Sequence, residues 1–238
     1  LIYNLYRANK GMTEFIFMLT HHDVTVRNAI EIFNEVKDTG LRYVGCKDVG
    51  LPKPELKKLF KLMKEAGMTT FFEVVTYEED RHFAGVDTAI EIGADYLIGG
   101  MPWFTEKTLT YIKERSVDIK YFPYIGKIED HPCILKGEVD EIIEDGKRAE
   151  DLGVDGINLL LYRYTGNQKR LLERAAKDLK VPLIVAGSVN SFERIKELME
   201  HNIWAFTIGG AIFEKKLAPG GSIRDQIRSV LKFIEEGE

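Results

Sequence analysis

From Glu14 onward one unit recurs eight times. It is a short run rich in Ile, Val, Phe and Tyr, then a polar turn, then a segment whose apolar residues return at helical spacing. The runs are EFIFMLT (14–20), RYVGCKD (42–48), TTFFEVVT (69–76), DYLIGGM (95–101), IKYFPYIG (119–126), GINLLLY (156–162), PLIVAGSV (182–189) and AFTIGGA (205–211). Because they are apolar on both faces, they read as parallel strands covered by helices. Helical spacing is plainest in PELKKLFKLMKEAG (54–67): Leu56, Leu59, Phe60 and Met63 share one face, Pro54 suits a first turn and Gly67 a C-terminal stop. The same glycine stop follows VRNAIEIFNEVKDTG, AIEIGAD and RAEDLGVDG, as expected where a helix reverses into a parallel sheet.

Eight such units predict a closed (β/α)8 TIM barrel, an α/β fold, in one domain over residues 12–238, and 238 residues suit that fold. The first eleven residues, LIYNLYRANKG, break the pattern and are set aside as an N-terminal arm or appended segment. An open doubly wound sheet would carry a glycine-rich loop after its first strand, but HHDVTV stands there with no glycine, which argues against a nucleotide held in that fashion. The net charge of −5, with both signs interspersed, supplies no basic stripe for nucleic acid. Cys46 and Cys133 lie far apart in no metal-type spacing, as in chains from a reducing compartment. No apolar run reaches the ~18 residues of a membrane span. The expectation is a cytoplasmic protein without nucleic-acid or membrane partners, its self-association left open.

In a barrel of this kind the chemistry sits at the carboxyl ends of the strands. Gly187-Ser188 and Gly209-Gly210 fall at the ends of strands seven and eight. Small residues there let a ligand approach the main chain, and residues 211–214 suit the first turn of a short extra helix whose N–H groups attract an anion. A small phosphorylated metabolite is the partner this implies. Among rim positions with titratable groups (His21, His22, Asp23, Lys47, Asp48, Glu73, Lys127, Tyr162 and Arg163), Lys47 is the most telling. A lysine in a buried strand needs an anionic partner or a lowered pKa. Glu73 on the next strand is the candidate partner, either as a structural ion pair or as half of a catalytic one. The catalytic reading assigns Lys47 and Glu73 to proton abstraction beside a carbonyl, or to aldol cleavage. His21, Tyr162 and Arg163 are the candidate substrate contacts, with Asp23 or Thr25 also suited to capping helix one.

The segment GINLLLYRYTGN…IVAGSVNSFERIKELMEHNIWAFTIGGAIFEKK (156–216) resembles the closing part of the ribulose-phosphate-binding barrel superfamily. In particular it is similar to N-acetylmannosamine-6-phosphate 2-epimerases, in the YTG, the small-residue turn after strand seven and the end of strand eight. That resemblance implies phosphate binding at Gly187, Ser188, Gly209 and Gly210, and isomerase, epimerase or lyase chemistry. It differs at Ala186, where the epimerase pattern has an acidic residue. A metabolite-binding protein without catalysis, or a barrel holding flavin mononucleotide, would use the same turns. No cofactor is assigned. No metal is expected, because His21, His22, Asp23, Cys46 and Glu73 show no ligand spacing. Met101 to Phe104 could wall a ligand, and residues 121–141 make the longest strand-to-helix connection, a candidate lid.

Overall fold

The computed structural model describes residues 13–130 and 132–237; the arm expected over residues 1–11, and Met12, lie outside them. Eight parallel strands form one sheet: β1 (Glu14–Met18), β2 (Tyr43–Lys47), β3 (Thr69–Val74), β4 (Tyr96–Gly99), β5 (Lys120–Phe122), β6 (Ile157–Leu159), β7 (Leu183–Val185) and β8 (Ala205–Ile208). Their spatial order is β6-β7-β8-β1-β2-β3-β4-β5, and a parallel bridge between Tyr124 and Asn158 draws β5 to β6. This is the expected (β/α)8 barrel.

Each strand hands over to a helix: α1 (Ala29–Val36), α2 (Lys53–Glu65), α3 (Glu79–Ile92), α4 (Thr105–Glu114), α5 (Val139–Leu152), α6 (Gln168–Asp178) and α7 (Phe192–Glu200). After β8 come a single turn, α8 (Gly210–Phe213), and the long α9 (Ile223–Glu236). Two of the glycine stops cap their helices as the sequence suggests, Gly93 and Gly153 adopting left-handed φ of 68° and 91° and returning their N–H groups to the preceding turn, whereas α2 is capped by Ala66 just before Gly67 and α1 ends at Val36, short of Gly40.

Strand five is shorter than its apolar run because Pro123 has no N–H for the ladder. Helix one covers only Ala29–Val36 of the run 26–40, and residues 20–25 ahead of it form a small antiparallel hairpin. Neither Asp23 nor Thr25 caps a helix: Thr25 Oγ1 donates to Lys47 O and accepts from Lys47 N, both at 2.9 Å. The long connection after β5 folds into a second hairpin, Lys127–Glu129 against Ile134–Lys136.

Alternation along each strand divides the core in two. Outward residues such as Phe17, Val44, Phe72 and Leu97 meet the helices, while Ile16, Met18, Phe71, Ile98, Phe122, Ile184 and Ala205 fill the barrel. Tyr43, Tyr96 and Trp204 pack against that inner plug. In the β2–β3 register Lys47 pairs with Glu73, so both side chains rise on the inner face directly above Gly45 and Phe71.

Gly45 is where the plug is tightest. A Cβ there would lie 2.7 Å from Phe71 O and 2.8 Å from Met18 Sδ, and the first neighbour is main chain that cannot rotate away. Gly45→Ala is therefore expected to cost about 1–3 kcal/mol, as overpacked cores do. A urea-unfolding midpoint equal to that of the parent would show that β2 can shift outward.

Candidate active site

The C-terminal ends of the strands enclose a cavity of about 280 Å³. Lys47, Glu73 and Tyr124 stand on one side of it, Leu160, Ala186 and Thr207 on the other, and Asp23 and Arg163 between. Lys47 and Glu73 are only 7% and 5% exposed, so their charges depend on each other. Lys47 Nζ is 3.4 Å from Glu73 Oε2 and 2.8 Å from Asp23 Oδ1. Tyr124, itself buried, donates to Glu73 Oε1 at 2.5 Å and leaves Oε2 to the lysine. Arg163 approaches the far side of Asp23, with Nη1 3.3 Å from Oδ2 and Nη2 3.4 Å from Oδ1.

Burial by itself would lower the Lys47 pKa, but Glu73 and then Asp23 outweigh it and hold the ammonium above its usual range. Burial would likewise raise Asp23, yet Lys47 and then Arg163 hold that carboxyl below its ordinary value. Burial, followed by the Glu73 charge, pushes the Tyr124 phenol well up and keeps it a donor. Of the two states the sequence leaves open for Lys47, the structure selects the charged one with anionic partners.

The four small residues at the ends of β7 and β8 flank the same cavity, but for different reasons. Gly187 stands at φ 77°, a left-handed backbone that strains any side chain, and the Arg163 side chain lies where a Cβ would go, Nε 2.7 Å from it. At Gly209 a Cβ would meet Thr20 O and Oγ1 at 2.5 Å. Gly210 alone opens onto free space, its nearest neighbour being Glu214 Oε1 at 3.7 Å. Among the described residues the main-chain N–H groups of Ser188, Gly210 and Ala211 reach no acceptor. Ser188, at φ 61°, is turned left-handed, and its carbonyl accepts from Arg194, which also donates to Asn190 Oδ1 at 3.1 Å.

Two of the substrate contacts expected from the sequence are turned away from the cavity. His21 lies between the rings of His22 and Phe213, its Nε2 3.6 Å from Glu214 Oε1, and His22 faces the cavity instead. Tyr162 points out against α7, its single O–H within reach of two acceptors, Glu197 Oε2 at 2.8 Å and Arg194 O at 3.1 Å, with the Arg194 guanidinium over its ring. It braces the strand-seven turn from behind. Met101 and Phe104 are buried and Trp103 is exposed against Tyr77, and none of them lines the cavity. The hairpin after β5 does supply Pro132 and Cys133 to the lining. Tyr124 was missed by sequence reasoning, although strand alternation from Phe122 places it inward. Among the described residues no group of three or more His, Cys, Asp or Glu converges as a metal site, and no helix is long and apolar enough to cross a membrane.

Comparison with known proteins agrees with this architecture. The NanE family, described as "Putative N-acetylmannosamine-6-phosphate epimerase", matches residues 110–217. A relative from Clostridioides difficile (strain 630), described as "Putative N-acetylmannosamine-6-phosphate 2-epimerase", is 22% identical over 71% of this chain and 77% of its own. One of the same description from Clostridium perfringens (strain SM101 / Type A) is 34% identical, but over only 29% of this chain and 35% of its own. Among solved structures, the N-acetylmannosamine-6-phosphate 2-epimerase of Clostridium perfringens superposes with a TM-score of 0.62 at 15% identity, covering 96% of both chains. The orotidine 5'-phosphate decarboxylase of Pyrococcus horikoshii OT3 gives 0.65 at 13% identity, covering 93% of this chain and 99% of its own. At those identities the structural likeness carries the fold alone. The sequence matches show a likeness to proteins described as putative N-acetylmannosamine-6-phosphate epimerases.

Asp48, next to Lys47, supplies a measurable signature of the site. Its Oδ1 is buried without a hydrogen-bond partner among the described residues, and burial, then the Glu73 charge, push its pKa up to about 6. Below pH ~3.8 Asp48 is protonated folded or unfolded and contributes nothing; between there and pH ~6 the unfolded chain ionises first, so a cost grows and then stays. Asp48→Asn should therefore stabilise the protein at pH 7–8 and leave it unchanged near pH 3. Chemical denaturation at both pH values checks this, and an equal effect at the two would refute it.

Proposed function

We propose that the chain converts a small phosphorylated sugar or related phosphate ester through an enolate formed beside its carbonyl, an enediolate where the neighbouring carbon bears a hydroxyl. The observation that carries this reading is that one cavity holds the buried Lys47–Glu73 pair and the unpaired amides beside Gly210. A phosphoryl group between Ser188 and Gly210 would meet those N–H groups, with Arg163 and Lys216 also on the lining. The grip would then be a mixed one, main-chain amides together with cationic side chains. The remainder of the ligand would then extend toward Lys47.

In that pose Glu73 is the base that takes the proton from the carbon beside a carbonyl. The electron pair moves onto the carbonyl oxygen, and the Lys47 ammonium stabilises the oxyanion. Returning the proton to the neighbouring carbon gives isomerisation, and returning it to the same carbon with inversion gives epimerisation. If Glu73 instead takes the proton of a hydroxyl one carbon further on, the carbon–carbon bond between breaks, that end leaves as an aldehyde, the Lys47 ammonium stabilises the enolate of the remaining fragment, and the reaction is an aldol cleavage. The relatives named above support testing N-acetylmannosamine 6-phosphate first, alongside ketose and aldose phosphates.

Two variants test the reading. Lys47→Met should lower turnover by roughly two to four orders of magnitude, the usual worth of a positioned acid or base. Gly210→Leu, whose side chain enters open space, should weaken phosphorylated ligands strongly and their dephosphorylated forms little. Carbon-bound deuterium uptake by NMR in heavy water, and calorimetry with both ligand forms, are the measurements. Equal affinity for the two forms in the parent protein would remove the phosphate site and this function with it.

A further inference from the structure

Asp23 takes no part in the proposed chemistry, yet the chain strains itself to place it. The hairpin pairs Thr20 with Thr25 and His21 with Val24, so His22 and Asp23 form its two-residue turn. Both have left-handed φ, 50° and 60°, a region that non-glycine residues occupy infrequently. The hairpin is tied down by the Thr25 hydrogen bonds to the main chain of Lys47 and by Thr25 N to Val49 O at 2.9 Å. What it delivers is a carboxylate 11% exposed, lodged between two cations on different walls.

One cation is Lys47, at 2.8 Å; the other is Arg163, which approaches Asp23 at longer distances while its side chain lies against Gly187. Asp23 is therefore the bridge between the strand-two lysine and the strand-seven turn. We infer that Asp23 is a positioning residue: it pins the Lys47 ammonium beside Glu73, and it occupies Arg163 as an internal anion that a phosphoryl ligand must outcompete. This rests on the reading of Lys47 and the glycine turns given above.

The two halves of the inference predict effects of opposite sign, which a merely structural residue would not produce. Lys47 is faced by Glu73 from β3, Asp23 and Arg163 from the flanking loops, Cys133 from the second hairpin and Asp48 beside it. Removing Asp23 leaves Glu73 as the one carboxylate within 4 Å of the ammonium among the described residues. The Lys47 titration midpoint should then fall, while the freed Arg163 should bind anions better. Asparagine and glycine both tolerate the left-handed backbone, so Asp23→Asn and Asp23→Gly remove the charge without forcing the turn open.

The experiment follows the Lys47 ¹³Cε signal, assigned by its loss in Lys47→Met, through a pH titration, and measures inorganic phosphate binding by calorimetry. In Asp23→Asn and Asp23→Gly the midpoint is expected to drop by about one to three pH units, the range for losing an opposite charge at this separation. Phosphate affinity is expected to rise about two- to fivefold, the worth of one partly exposed ion pair. Asp23→Glu should bring the midpoint back toward that of the parent. A folded Asp23→Asn with an unmoved midpoint, or with weaker phosphate binding, overturns the inference. Should the parent itself bind no phosphate while the midpoint still falls, the phosphate reading and the competition for Arg163 fail together, and only the pinning of Lys47 stands.

Discussion

Drawing eight short parallel strands into a ring fixes where everything else must go. Every second residue of each strand points inward, and the space there is limited. The lower positions are filled by Ile16, Phe71, Ile98, Phe122 and Ile184, which close the barrel against water. The next inward positions on four of the strand tracks are Lys47, Glu73, Tyr124 and Ala186, so the same alternation that builds the plug also lifts the polar groups onto its upper surface. Gly45 directly under Lys47 keeps the plug from being overfilled at that point.

A charge in such a place is tolerated only with partners, because taking an ion out of water costs several kcal/mol that geometry must offset. The site meets this requirement with a balanced group, Asp23 and Glu73 against Lys47 and Arg163. Tyr124 satisfies the carboxylate oxygen that the lysine does not use. An incoming phosphoryl group would add negative charge beside Arg163 and the free amides, so binding and the protonation of Lys47 are electrostatically linked. The left-handed turn at His22-Asp23 and the left-handed Ser188 both line the cavity that holds this group. Local backbone cost is concentrated where side chains and amides must be aimed.

The hydrophobic pattern by itself determined the eight units, their parallel arrangement and the barrel, since period and glycine stops are local properties of the chain. It also brought Lys47 next to Glu73, because consecutive strands of a barrel are neighbours. Where the run was interrupted by chemistry instead of polarity, as at Pro123 or in the hairpin of residues 20–25, the element ends shifted. Which of His21 and His22 faces the cavity, that Tyr162 faces away, and that the Arg163 side chain lies against Gly187 were all decided by tertiary structure. So was the union of Asp23 with Arg163, 140 positions apart. The physical reason is that strand periodicity dictates a side chain's direction only within the strand. At the rim, direction is set by turns whose φ values and long-range partners exist only once the ring has closed.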